Sequence, residues 1–454
     1  MGFTCPRNRV FATVFSGAEA LEVGAALATR DGDLVVQDCG HVEARGDDAH
    51  PDVAHNLDPM KKLFLFLLGL FRRFNLWKLK LQGKTIEDVH EERVLTGKAW
   101  AEYCDTIKAA GTAMLFPGTP KDAFNQAEGY RYLSRLVRGG LEAFIEYADP
   151  LFPRFQRMVH ETVKLGADNP DNFYVSASIS GQHRYRVWGK RGTAFYLGFA
   201  TQLADYTKDE PQVSGSLEAD DLKTGPDGSF EILLSVDKPQ GDVSWLPMST
   251  SSRIVLVRQT FLDKAAEKPA ELHIERIGGA ATPGPLTAQM VDEGLSSAGL
   301  FVTGSSLFFA KWSRDWKNHA NSLPRHPPEI SAAAGGDPNI AYYHSYWELG
   351  DNECLELTFT PPKCQYWNFQ LNNYWIESLD YRYFPITLNQ HSAEYRPDGS
   401  VRLLVAHEDP GRGNWIDTAY HRSGTMSLRW LRSTEFPPVH VRKLTSAEAR
   451  QLPR

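Results

Sequence analysis

The stretch Pro397-Asp398-Gly399-Ser400-Val401-Arg402-Leu403-Leu404-Val405-Ala406 has a counterpart in Pro226-Asp227-Gly228-Ser229-Phe230-Glu231-Ile232-Leu233-Leu234-Ser235, 171 residues earlier. Two further landmarks keep the spacing. Asn414-Trp415 follows Ser244-Trp245 by 170 residues, and Arg429 follows Arg258 by 171. Three landmarks agreeing to within one residue define an internal repeat. Each copy reads as a strand, an Asp-Gly turn, a strand, a loop carrying Trp, and a strand ending in Arg. Asp-Gly supplies the positive φ that a tight hairpin needs. The period is too long for a solenoid, and several antiparallel strands per unit point to a β-sandwich used twice.

Working outward, β-rich runs separated by Gly turns occur at 173–179, 183–188, 194–199, 229–236, 253–259 and 270–276, and strands resume from Tyr342. Upstream, Ala99, Trp100, Tyr103, Ile107 and Ala110 recur at helical spacing, and a second helix starts near Asp122 and runs to about Tyr147. A further helix is expected from Leu286 to Lys317, and 322–340 reads as a long loop. The fold class is therefore mainly β with a helical N-terminal segment: two related antiparallel β-sandwich modules in tandem. The expected divisions are 1–95 as a variable N-terminal segment, 96–165 as a helical hairpin, 166–280 as the first sandwich, 281–340 as a helical insertion and loop, and 341–454 as the second sandwich.

The segment 60–81 stands apart. Lys61 and Lys62 precede the apolar run Leu63 to Phe71, and Arg72, Arg73, Lys78 and Lys80 follow with no acidic residue between Lys61 and Lys80. Nine apolar residues are too few to span a bilayer, which needs about 20. The pattern suits a helix lying on an anionic membrane surface or, equally, one docked on the protein body. A third reading starts the native product at Met60.

Composition narrows the class. Of 454 residues, 42% are hydrophobic and 23% charged, which excludes a disordered chain, a collagen and a coiled coil. The net charge of -7 argues against a nucleic-acid partner. The five cysteines are scattered without CxxC spacing, so they read as reduced thiols in a cytoplasmic chain, peripheral to the membrane if 60–80 bind one.

The C-terminal copy, through Tyr366-Trp367-Asn368-Phe369-Gln370-Leu371, Pro397-Asp398-Gly399-Ser400, Asn414-Trp415 and the strand ending in Arg429, resembles the bacterial domain-of-unknown-function family 1214. The N-terminal copy resembles its sister family 1254 in degenerate form. Family members tend to show Pro and Ala after the Asn-Trp-Leu element, where this chain has Ile416-Asp417. The resemblance implies a β-rich fold and no settled reaction.

The candidate site lies on Cys364 to Trp375. Alternation puts Trp367, Phe369 and Leu371 on one face and Tyr366, Asn368, Gln370, Asn372 and Tyr374 on the other. The first face reads as core. The second is a row of neutral donors and acceptors suited to orienting a polar ligand such as a sugar, or else a face that is solvated or meets an oligomer partner. With the 171-residue offset, Leu197 and Phe199 stand in for Asn368 and Gln370, which assigns the ligand to the second copy. His344, among aromatics, and His391 are candidate acid/base groups. Asp380, with Glu377 and Glu348 nearby, is a candidate for paired-carboxylate chemistry. Asn414 is a candidate substrate contact. No HxH or HExxH spacing occurs, so no metal ligand is assigned, and the cofactor is unknown. Two functions follow: an enzyme acting on a small hydrophobic or sugar-like molecule beside the second module, or a non-catalytic ligand-binding or membrane-surface protein. A homo-oligomer is compatible with either.

Overall fold

The structure, a computed structural model, describes residues 83–204 and 211–453. The segment 60–81 therefore lies outside the described residues. Two compact units are defined, Met1–Val89 with Tyr206–Asp209, and His90–Asp205 with Glu210–Arg454. Of the first, only 83–89 are described. There Thr85 caps the start of helix α1 (Ile86–Leu95) by a reciprocal hydrogen bond with Asp88. All that follows concerns the second unit.

The repeat is legible strand by strand. Copy one contains β1 (Asn172–Ser178), β2 (Tyr185–Lys190), β3 (Tyr196–Gln202), β4 (Val213–Glu218), β5 (Ser229–Ser235), β6 (Ser244–Pro247), β7 (Ile254–Thr260) and β8 (Glu271–Arg276). Copy two contains β9 (Ile340–Glu348), β10 (Glu353–Phe359), β11 (Tyr366–Asn372), β12 (Thr387–Asn389), β13 (Val401–Ala406), β14 (Trp415–Asp417), β15 (Ser423–Leu431) and β16 (His440–Thr445). Sheet order is β1-β7-β3-β4 and β6-β5-β2-β8 in copy one, and β9-β15-β11-β12 and β14-β13-β10-β16 in copy two. Adding eight to each strand number converts one copy into the other. Each pair of sheets encloses its own apolar core. Val187, Phe199, Ile232 and Val257 lie in the first core, and Leu357, Phe369, Leu403 and Leu428 in the second.

The Asp-Gly turns behave as the sequence requires. Gly228 and Gly399 take φ of 78° and 79°, and Asp227 and Asp398 accept from the backbone N–H of Ser229 and Ser400. The sheets are antiparallel-dominated as expected, with one short parallel pairing in each copy. Trp245 and Trp415 lie on short strands that run parallel to β5 and β13, because a loop rather than a hairpin brings each back. The two indoles do the same work, donating to Ser235 O (3.3 Å) and Ala406 O (3.0 Å).

Helices α2 (Lys98–Ala110), α3 (Ala123–Leu141) and α4 (Ala288–Trp316) form a helical layer, and α5 (Pro328–Ala333) interrupts the segment expected as loop. Asp122 caps α3 and Thr287 caps α4, each accepting from a backbone N–H three residues on. The buried face of α4 includes Gly294, Ala298, Gly299, Val302, Ser306, Ala310 and Ser313 at three- and four-residue spacing. Small residues there let neighbouring backbone approach closely. A Cβ on Gly299 would stand 3.0 Å from the Thr106 methyl. The far end of α4 reaches the second copy, where Tyr374 donates to Ala310 O (3.1 Å) and Ser313 to Tyr374 O.

Gly129 on α3 marks the tightest helix contact with this copy. A Cβ at that position would stand 2.6 Å from the Trp375 ring and also collide with Met114 Sδ. Trp375 is fully buried and has no room to retreat. Gly129→Ala is therefore expected to lower unfolding free energy by about 1–3 kcal/mol despite its better helix propensity, as read by urea denaturation.

Candidate functional site

β11 is buried on both faces. Trp367, Phe369 and Leu371 enter the sandwich core as expected. The opposite row is neither solvated nor open to a partner chain: Asn368, Gln370 and Asn372 are each 0% exposed and Tyr366 is 2% exposed. Buried amides demand partners, and here the protein supplies them. Gln370 Nε2 donates to Asp168 O (2.9 Å) and Asn372 Oδ1 (2.6 Å), while its Oε1 accepts from Arg429 (2.7 Å) and Asn368 Nδ2 (3.3 Å). Asn368 Nδ2 also donates to Asn169 Oδ1 (3.1 Å). The Arg429 guanidinium, on the neighbouring strand β15, reaches Asn368 Oδ1 (3.4 Å) and the carbonyl of Ala167 as well. Tyr366 donates to Asp171 Oδ2 (2.6 Å), to which Asn389 Nδ2 also donates (3.0 Å). Burial pushes the Tyr366 phenol well above its ordinary pKa, with Asp171 adding to it.

His344 on β9 joins this network through Ser427. Ser427 Oγ accepts from Asn372 Nδ2 (3.2 Å) and lies 3.0 Å from His344 Nδ1. The Ser427 hydroxyl thus bridges the Asn372 amide and the His344 ring. The imidazole is stacked on Trp316 (4.8 Å, 9°) and Tyr342 (5.7 Å, 16°), with His326 edge-on at 5.3 Å. Burial, then His326 and Arg429, hold its pKa well below 6.5, so the ring is neutral. The pair has the spacing of a nucleophile and base, but Ser427 is 0% exposed and out of reach of a substrate.

The remaining sequence candidates lie elsewhere. Tyr374 is buried and anchors α4. His391 is exposed on the turn after β12, and it is its neighbour Asn389 that enters the network. Asp380 forms an ion pair with Arg382 (2.7 Å), which with Lys164 holds its pKa below the usual value. Glu377 is 0% exposed, paired to Arg135 (2.6 Å) and hydrogen-bonded to Asn373, so it does not form a carboxylate dyad with Asp380. Asn414 has φ of 45° and ties Glu394 to Arg402 through its amide, a pin between loops. Among the described residues no cluster of His, Cys, Asp or Glu could hold a metal ion.

Strand register also corrects the comparison of copies. Asn368 pairs with Arg429 and Gly198 with Arg258, so the counterparts of Tyr366, Asn368, Gln370 and Asn372 are Tyr196, Gly198, Ala200 and Gln202. The true offset on this strand is 170, and a slip of one residue had exchanged its faces. The asymmetry survives with different residues. Where Asn368 stands in the second copy, copy one has Gly198 with the Tyr196 phenol packed over it, and a cavity of about 10 Å³, room for about one water, lies nearby beside Arg258 and Asp337.

The two arginines are related by the repeat, and so are their surroundings. Asn169 and Asp337 stand before β1 and β9, and their backbone N–H groups donate to Tyr174 (3.2 Å) and Tyr342 (3.0 Å). Asn169 then meets Tyr366 and Asn368 of copy two, while Asp337 lies 3.5 Å from Arg258 of copy one. Each copy thus lends its entry turn to the other's sheet. A sequence signal for this existed: Asn169-Pro170-Asp171 before Tyr174 recurs as Asp337-Pro338-Asn339 before Tyr342. It had been read as a boundary and a loop.

A family model described as Protein of unknown function (DUF1214) matches residues 176–261 and 349–435, one stretch in each copy. A crystal structure of an uncharacterized protein from Burkholderia cenocepacia is 45% identical, with a TM-score of 0.76 over 79% of this chain and 99% of that one. The chain belongs to the DUF1214 family. The VPA0106 protein from Vibrio parahaemolyticus is 10% identical, with a TM-score of 0.41 over 69% of this chain and 98% of that one. No curated protein matches the chain. In this DUF1214 chain each matched stretch ends just past the strand that carries the repeat's arginine, Arg258 or Arg429.

Arg429→Met would leave Gln370 Oε1, Asn368 Oδ1 and Ala167 O short of a donor in a dry site, at an expected cost of about 3 kcal/mol or more in urea unfolding. The imidazoles set a pH dependence. The His326 pKa is pushed down to about 4, by burial first, and the unfolded chain would protonate near 6.5. The unfolded state therefore binds more protons between these values. Stability present above about pH 6.5 should be lost progressively toward pH 4, and His326→Gln should lose less than the parent between pH 7 and pH 4.5.

Proposed function

We propose that this protein binds a small molecule without transforming it, in a cleft on the outer face of the β14-β13-β10-β16 sheet. The carrying observation is the cleft itself, about 300 Å³ and lined by Glu356, Thr358, Arg396, His440, Val441 and Arg442, at the lower end of the size range of ligand sites. It lies beside the second module, where the sequence had placed a ligand, but on the sheet opposite the polar row. The reading gains support from that row, whose donors and acceptors are already engaged by the protein, and from Ser427, whose burial keeps the Ser–His pair from a substrate. The basic segment 60–81 leaves a membrane-surface role as an alternative. Among the described residues no helix is long and apolar enough to cross a membrane.

Incubation with a cell metabolite extract, desalting and native mass spectrometry test the proposal. The parent protein should retain a small molecule that Thr358→Trp, which fills the cleft, does not. Equal retention by both, or none by either, would sink it.

A further inference from the structure

The cleft has a chemical character that its counterpart in copy one lacks. Register sets Glu356 beside Leu404 and Arg442, and Thr358 between Arg402 and His440. Arg396 comes in from the turn closed by Gly399 N–H on Arg396 O. Glu356 is 5% exposed and ion-paired to Arg442, with Arg396 Nη2 at 3.9 Å. Arg402 is 6% exposed. It donates to the carbonyls of Pro453 and Arg412 and, among the described residues, has no carboxylate within ion-pair distance. Burial and the adjacent Arg396, Arg412 and Arg442 lower its pKa, with Glu356 offsetting part of this. Two guanidiniums on one carboxylate, with Arg402 behind them met by carbonyls, leave a surplus of positive charge in a concave site.

Copy one presents the same lattice with the charges exchanged. Arg186 takes the place of Glu356, Glu231 that of Arg402, and Glu275 that of Arg442. There the central cation is matched by Glu231 at 2.9 Å and Glu275 at 3.5 Å, and Trp188, the counterpart of Thr358, covers the surface with its ring under the guanidinium at 4.7 Å. The residue opening the Pro-Asp-Gly turn is Gly225 in copy one and Arg396 in copy two. So at the corresponding positions copy two loses the aromatic lid, which opens space, and gains arginines, which make that space cationic.

We infer that the ligand of this cleft is a free solute bound through a dianionic oxyanion group, a phosphate monoester or a dicarboxylate, received by Arg396 and Arg442 of its lining. The inference rests on the binding reading above and names its substrate class. Guanidinium forks match the oxygens of either group, and an anion offsets the positive charge that Arg396 and Arg442 leave over after Glu356.

Isothermal titration of the full chain with inorganic phosphate and with succinate, at fixed ionic strength, tests it and separates the two sources of the anion. At least one should bind the parent, at least tenfold more weakly Arg396→Gln and Arg442→Gln, and not measurably Thr358→Trp; the parent's urea midpoint in both arginine variants separates lost binding from lost folding. No binding of either anion, equal binding by all variants, or binding only to vesicles containing phosphatidate would overturn it. A neutral solute retained by the parent and lost in Thr358→Trp would defeat the anion assignment and leave the binding reading standing. Retention that never depends on Thr358 would defeat both.

Discussion

A guanidinium removed from water has five N–H donors to place, and Arg429 finds acceptors in two parts of the chain: the Asn368 and Gln370 side chains of β11, whose polar row leads on to Ser427 and His344, and the carbonyl of Ala167 before copy one. Each acceptor is in turn fixed by another bond. Gln370 is held by Asp168 O, Asn368 by Asn169, and Asn372 by Thr425 and Ser427. A network of this kind adds little net stability over an apolar core, but it tolerates few alternative arrangements. It therefore specifies how the second sandwich meets the turn that begins the first.

The same architecture explains why the copies diverged unequally. Both keep an arginine at the junction, a tyrosine on the strand beside it and an Asn/Asp-Pro-Asp/Asn turn facing it. Copy one answers Arg258 with Asp337 and Gly335 O and packs the Tyr196 phenol over Gly198, while copy two answers Arg429 with Asn368 and Gln370. On the outer sheets the divergence is electrostatic: one lattice of three positions carries Glu-Arg-Glu in one copy and Arg-Glu-Arg in the other. Duplication supplied two equal scaffolds, and the faces remote from the junction were free to take opposite charge.

The architecture was legible in the sequence because hairpin turns and strand alternation are local. Asp227-Gly228 and Asp398-Gly399 announced the repeat, and alternation sorted Trp367 from Asn368 correctly. The site was less legible for a physical reason. A polar row on a strand has the same pattern whether it faces a ligand or another part of the chain, and only tertiary contact distinguishes the two. Arg429 enters the sequence reading only as a landmark of the repeat, and its recurrence as Arg258 is the sign of the shared junction. Arg402 and Arg442 are 40 residues apart and join only through β10, so no linear motif could pair them.

The exchange of entry turns has a consequence for synthesis. Asn169 and Asp171 leave the ribosome well before Tyr366, Asn368 and Asn389, the groups that satisfy them. A nascent first sandwich can close its own apolar core, but its leading turn must stay hydrated until about 200 further residues have emerged. The two sandwiches are thus not beads matured one after the other. The first becomes dry at its leading edge only when the second arrives, which makes the end of the chain a condition for finishing its beginning.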